Sequence, residues 1–170
     1  MKSFAFFKMC GSGNDFIIAD NREGAVAPAE MPELAKKLCR HKLSVGADGL
    51  IFIENSDKAD FAWNFYNSDG SRAEMCGNGA RCAARFAYLN GIVTNPAMKF
   101  ETLAGIIEAE VLDGRVKVRL TDPTDIRYFR PLKVKDGAYN VASVNTGVPH
   151  VVVRVDDLEK ANVMEHGPVI

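Results

Sequence analysis

Between Asn78 and Asn90 the chain reads N-G-A-R-C-A-A-R-F-A-Y-L-N, a helical stretch that is apolar nearly all round and broken only by Arg81 and Arg85. Gly91 follows it and suits the left-handed position just past a helix C-terminus. A helix with so little polar face has to be buried. Its side chains are mostly small (Ala80, Cys82, Ala83, Ala84, Ala87), so whatever covers it must approach closely. The flanking segments read mainly as strands. The expected fold class is therefore α+β, with mixed or antiparallel strands curled around this one buried helix.

Upstream, Phe4–Met9 and Phe16–Asp20 are short apolar runs that predict two strands. The loop between them, Cys10 to Asp15, has glycine turn chemistry. It lacks the Gly-Lys-Ser/Thr ending of a phosphate loop and a following helix, and reads as a hairpin-like connection. Pro32–Arg40 predicts a short helix with Pro32 in its first turn and the stripe Leu34, Ala35, Leu38. Cys39 reads as packing, His41 as solvated. A second glycine loop, Ser44–Gly49, leads into a strand over Leu50–Glu54. Asp60–Asn67 alternates strictly, placing Phe61, Trp63 and Phe65 opposite Ala62, Asn64 and Tyr66; this predicts a half-buried strand with Trp63 in the core. Downstream, strands are expected over Met98–Thr102, Ile106–Val111, Arg115–Leu120, Tyr139–Asn145 and His150–Val155, with Asp113-Gly114 as a two-residue hairpin turn. Thr121–Pro131 reads as a loop. Asp156 or Asp157 can cap a short helix at Leu158–Asn162.

The chemistry concentrates just before the buried helix, at Cys76-Gly77-Asn78-Gly79. Cys76 precedes a helix N-terminus, where free N–H groups and the positive end of the helix dipole converge. Cysteines so placed commonly ionise near neutral pH and serve as nucleophile or base. The same N–H groups can hold a carboxylate, and an amino acid pinned there would bring its α-carbon near the sulfur. The plainer reading, a buried structural cysteine ahead of an ordinary helix, stands beside this one. Arg81 and Arg85, spaced i and i+4, either guide an anion or meet solvent and internal carboxylates. Cys82, inside the helix, is expected to be inert, and Cys10 structural.

The balance of 21 basic and 22 acidic residues argues against a nucleic-acid or membrane-surface partner that works through bulk charge. There is no long apolar run, and Met1-Lys2-Ser3-Phe4 shows no export signal, so a cytoplasmic location is expected. In that compartment Cys10, Cys39, Cys76 and Cys82, which lack C-x-x-C spacing, read as thiols.

The string M-C-G-N-G-A-R-C at Met75–Cys82, preceded by N-S-D-G-S at Asn67–Ser71, resembles the signature of the diaminopimelate epimerases. Three more stretches agree in family order: K-M-C-G-S-G-N-D-F from Lys8, V-G-A-D-G-L from Val45 and N-T-G-V-P-H from Asn145. The family is similar in fold to proline racemase and the phenazine-biosynthesis isomerases. The resemblance implies a closed, barrel-like sheet and an isomerase of the lysine and cell-wall pathway. That enzyme would interconvert LL- and meso-diaminopimelate without pyridoxal phosphate, other cofactor or metal. It further implies Cys76 as one catalytic acid/base and His150 as its partner. Asn14, Asn67, Gly77 and Asn78 would be substrate contacts, and the Ser44–Gly49 loop would rim the site through backbone groups. Family members often carry Asn where this chain has Val148, so that contact is lost or left to backbone. Thiol oxidation should inactivate such a site.

Inversion also needs a second acid, which in the family is a cysteine in an A-C-G-type motif of the C-terminal half, beside a Glu-Arg pair. None of this is present. Residues 1–170 are thus expected to be the N-terminal domain of a two-domain epimerase lacking its C-terminal domain, inactive alone, with a homodimer left open. The rival readings are a related racemase or isomerase on another small acid, a non-catalytic carboxylate-binding half-enzyme, and a zinc site from Cys76, Cys82 and His150, for which the spacing is poor.

Overall fold

The structure, a computed structural model, describes residues 3–134 and 137–170. Met1 and Lys2, part of the N-terminal segment read for an export signal, lie outside the described residues. The chain divides into two compact units, the first ending at Leu120 and the second beginning at Thr121. Among the described residues no helix is long and apolar enough to cross a membrane.

The first unit is a seven-stranded mixed sheet with two helices. Strand β1 (Phe7–Gly11) and β2 (Asn14–Asp20) form an antiparallel hairpin. Its two-residue turn, Ser12-Gly13, has φ of 52° and 93°, the doubly positive geometry that matches strand twist. Helix α1 (Met31–Leu38) connects β2 to the parallel β3 (Gly49–Glu54). Strand β4 (Phe61–Asn67) runs antiparallel to β3, and helix α2 (Gly77–Leu89) connects β4 to the parallel β5 (Ala97–Thr102). Strands β6 (Gly105–Leu112) and β7 (Arg115–Arg119) complete the meander, so that spatial order follows chain order from β1 to β7. The expected turn at Asp113-Gly114 joins β6 to β7.

Two parallel crossovers explain where the helices lie. The sheet keeps progressing sideways while strand direction reverses between β3 and β4. Crossovers of one hand must then land on opposite faces, and the right-handed form is the one sterically favoured. The burial pattern agrees. On β2 and β3, Phe16, Ile18, Ile51 and Ile53 pack with α2, whereas Ile17, Leu50 and Phe52 pack with α1. Strand β3 is consequently buried on both sides and shows no polar alternation. Strand β4 departs from the half-buried expectation for the same reason. Phe61, Trp63 and Phe65 line the α2 side as expected, but Tyr66 is also buried, beneath α1.

Helix α2 touches β1, β2 and β3 and also β6 and β7, strands from both ends of the sheet. A sheet whose two ends meet one helix has to curl strongly. Seven of the thirteen α2 residues are buried (Gly79, Ala80, Cys82, Ala83, Ala84, Phe86, Ala87), while Leu89 at its end is 63% exposed. Aromatic rings fill what the small helix side chains leave: Phe61 stacks on Phe100 at 4.9 Å, and Phe7 meets Phe86 edge-on at 5.3 Å.

The second unit is a three-stranded antiparallel sheet ordered β10-β9-β8, formed by β8 (Thr124–Val134), β9 (Gly137–Asn145) and β10 (Pro149–Val153). Strand β8 corrects the loop expected over Thr121–Pro131. Its register slips twice, between Thr124 and Arg127 and between Arg127 and Arg130, which erases the period of two in its sequence. Pro131 is tolerated because β8 lies at the edge. The helix expected at Leu158–Asn162 is a single tight turn over Leu158–Lys160, capped by Asp157, followed by α3 (Val163–His166).

Phe100 is fully buried between Phe61 and Trp63. Phe100→Ala should therefore destabilise the first unit by about 3–5 kcal/mol. Tyr128→Ala, at a side chain 84% exposed, should change stability by less than about 0.5 kcal/mol. Denaturant unfolding of the two variants checks both values.

Candidate active site

Cys76 is the N-cap residue of α2. Its backbone is extended, and its Sγ accepts a hydrogen bond from the Gly79 amide at 3.4 Å. The Cys76 carbonyl accepts from Ala80 N at 2.8 Å, which begins the helical ladder. The sulfur thus occupies the place where a serine or aspartate oxygen usually caps a helix, held by an amide at the positive end of the dipole. Cys76 is half-buried.

Three strand ends meet this helix end. Strand β2 begins at Asn14, β3 begins at Gly49 and β4 ends at Asn67, with Gly49 paired to both Phe16 and Asn67. The Asn78 side-chain amide donates to Asn14 Oδ1 at 2.7 Å, tying α2 to the start of β2. Asn14 Nδ2 in turn donates to Asp48 Oδ2 at 3.1 Å, and the Asp15 N–H donates to the same oxygen at 2.9 Å. These donors, Asn14 foremost, hold the Asp48 carboxyl below the usual carboxylate range. Arg81 donates to Asn78 Oδ1 and, at 3.4 Å, to Ser12 Oγ. The Asp48 carbonyl accepts from Ser68 N at 3.0 Å, which fastens the turn after β4 to the same loop. In that turn Asn67 is exposed, its Nδ2 donating to Ser71 Oγ at 3.0 Å.

The hairpin reaches the helix end through Gly11. A Cβ there would lie 2.8 Å from the Asn78 carbonyl oxygen and 2.9 Å from Cys82 Sγ, so only glycine permits this approach.

Of the residues singled out from sequence, the first unit brings Cys76, Gly77, Asn78 and Asn14 into one cluster, with Asn67 attached through the Asp48 loop. His150 belongs to the second unit, exposed on β10 opposite Val144. The loop ending at Gly49 was expected to act through backbone groups. Its Asp48 side chain also enters the cluster, because a carboxylate there satisfies both the Asn14 amide and a strand-end N–H. Asp48 and the inward role of Gly11 were missed from sequence; the acidic residue inside a glycine loop was the available signal.

The other thiols are placed differently. Cys39 and Cys82 are buried, and burial pushes each up to about 11. Cys10, expected to be structural, is instead exposed on β1, because β1 turns Phe7, Met9 and Gly11 rather than Cys10 toward α2. Brief alkylation of the native chain at pH 8 should label Cys10 and Cys76 and spare Cys39 and Cys82. Peptide mass spectrometry reads the outcome, and all four should react once the chain is denatured.

A family model described as diaminopimelate epimerase matches residues 6–125 of this chain. The chain is 47% identical over 175 residues to the diaminopimelate epimerase of Aquifex aeolicus, covering 97% of itself and 62% of that protein. It is 48% identical over 164 residues to that of a Hydrogenobaculum species, covering 91% of itself and 59% of the relative. It therefore spans about three fifths of the length of these relatives. Among solved structures, the fold is similar to a phenazine biosynthesis protein of the PhzF family from Bacillus anthracis, with a TM-score of 0.68 at 21% identity over 98% of this chain and 61% of that one. It is likewise similar to a probable proline racemase from Agrobacterium radiobacter, with a TM-score of 0.70 at 16% identity over 94% and 54%. With three of its four motifs, all in the first unit, meeting at one helix end and the family model covering residues 6–125, this chain belongs to the diaminopimelate epimerase family.

Proposed function

We propose that the chain is one half of a cofactor-independent epimerase that interconverts LL- and meso-diaminopimelate. The observation that carries this reading is Cys76 as N-cap of α2, its sulfur held by the Gly79 amide beside the Asn14–Asn78 pair. In this reading the substrate α-carboxylate sits on the N–H groups at Gly77 and Asn78, with Asn14 and Asn67 as further contacts. Its α-carbon then faces Sγ. The Cys76 thiolate takes the α-proton and becomes a thiol, and the carbon keeps the electron pair as an enolate steadied by the helix end. A second acid returns a proton to the opposite face, and inversion results. Cys76 supplies one of the two cysteines the full reaction uses.

The second cysteine would come from a C-terminal domain beyond these residues, across a cleft. The chain's span of about three fifths of its relatives supports this. So does the second unit, where Ile126, Tyr128, Phe129, Val151 and Val152, spread over both faces of its sheet, are all roughly half or more exposed and leave apolar area that further chain could cover. The curled sheet of the first unit would be the barrel-like wall around a central α2. On its own, the chain binds the carboxylate and removes a proton but cannot invert.

Proton NMR of LL-diaminopimelate in D₂O tests the reading. The 170-residue chain should exchange the α-proton slowly with retention, and Cys76→Ala should abolish exchange. Exchange with inversion would show that a second acid is already present, from this chain or another copy, and would end the half-site reading. No exchange by either protein would remove Cys76 as a base.

A further inference from the structure

Four side chains from three separate stretches form one line of hydrogen bonds at the α2 N-terminus. Asn14 Nδ2 donates to Asp48 Oδ2, Asn14 Oδ1 accepts from Asn78 Nδ2, and Asn78 Oδ1 accepts from Arg81. An amide side chain has an accepting end and a donating end, and nothing in an isolated Asn–Asn pair decides which way the pair runs. Here the ends decide it. A carboxylate only accepts and a guanidinium only donates. With Asp48 at one end and Arg81 at the other, both amides have a single satisfied orientation. Reversing either would set oxygen against oxygen or N–H against N–H.

Both ends are themselves anchored. The Asp48 carboxylate takes the Asp15 N–H as well, and its backbone carbonyl holds Ser68 N. Arg81 also reaches Ser12 Oγ. Each asparagine uses one amino N–H within the line, which leaves the second uncommitted among the described residues.

We propose that Asp48 and Arg81 are positioning residues that fix the direction of the Asn14 and Asn78 amides, so that the site beside Cys76 offers donors to an anionic carboxylate. This rests on the carboxylate-binding reading above. Were the amides free to reverse, their oxygens would face the ligand and repel it. A carboxylate inside an anion site is otherwise unfavourable. It is explained here because the Asp48 charge is absorbed by Asn14 and Asp15 while its polarity passes along the line. Arg81, which the sequence offered either as a guide for anions or as a partner of solvent and internal carboxylates, acts at one remove through Asn78.

The test replaces each one-way end by an amide in the ¹⁵N-labelled 170-residue chain, Asp48→Asn at the same reach and Arg81→Gln two bonds shorter than the guanidinium nitrogen it removes. Arg81→Lys, which keeps a donor-only end, is the conservative control. Asp48→Asn should move the side-chain amide signals of Asn78, which it does not touch, as well as those of Asn14. Movement confined to Asn14 overturns the proposal. In calorimetric titration with LL-diaminopimelate, each amide variant should bind about tenfold more weakly, as expected for loss of one well-oriented charge-assisted hydrogen bond. The double variant should be little worse than either single, because both break the same line, and Arg81→Lys should retain binding. Unaltered affinity in both amide variants overturns the proposal, as does a double variant whose losses add. If wild type fails to bind diaminopimelate while the Asn78 signals still respond to Asp48→Asn, the substrate assignment fails and the fixed amide line stands. Arg81→Gln, at the half-exposed end, keeps the test decisive should Asp48→Asn not fold.

Discussion

The first unit depends on how closely strands can approach α2. The helix presents alanine, glycine and cysteine where most buried helices present leucine, and its backbone is therefore near the sheet on several sides. Gly11 shows the limit, since even one methyl group there would collide with the Asn78 carbonyl and the Cys82 sulfur. Interiors pack at crystal-like density, so volume missing from the helix has to come from elsewhere. It comes from the strands, whose Phe16, Phe61, Trp63, Phe65 and Phe100 enclose the small residues. The curl of the sheet and the closeness of the hairpin to the N-terminal end of α2 follow from this one exchange of bulk.

The reversal of strand direction between β3 and β4 has a second consequence. It lets two crossovers of the same hand cover opposite faces, so β3 is sealed on both sides and can be wholly apolar. It also brings the start of β2, the start of β3 and the end of β4 to the same edge of the sheet, where α2 begins. Ala47 in the loop before β3 is buried in the core, but the positions at the strand ends beside it face outward. They hold Asn14, Asp48 and Asn67, polar groups that the sheet interior would not tolerate unpaired. A rigid sheet with functional loops at one edge is the general arrangement by which a fold carries a site.

Legibility from sequence tracked how local each cause was. The strands of the first unit, the Asp113-Gly114 turn and the burial of α2 were readable because each rests on periodicity or turn chemistry within a few residues. The cap position of Cys76 was readable for the same reason. Strand β8 was not, because two register slips removed the alternation that announces a strand. Cys10 reads from sequence as the start of a glycine loop, whereas the hairpin pairing carries β1 on through it to Gly11 and leaves it exposed. Tyr66 falls on the uncovered face of a half-buried strand by alternation alone, because nothing near it in sequence reveals that α1 lies over it.

The sequence by itself determined which groups are chemically capable: a cysteine at a helix start, glycines that allow close approach, and asparagines at turns. These are properties of residue type and short spacing. Only the tertiary structure decided how they act together. Asp48 and Asn14 are 34 positions apart, and Asn14 and Asn78 are 64 apart. The direction of an amide depends on what faces it across such distances, and no local pattern encodes that. The line from Asp48 to Arg81 exists because a sheet closing on a narrow helix brings three distant turns within hydrogen-bond reach.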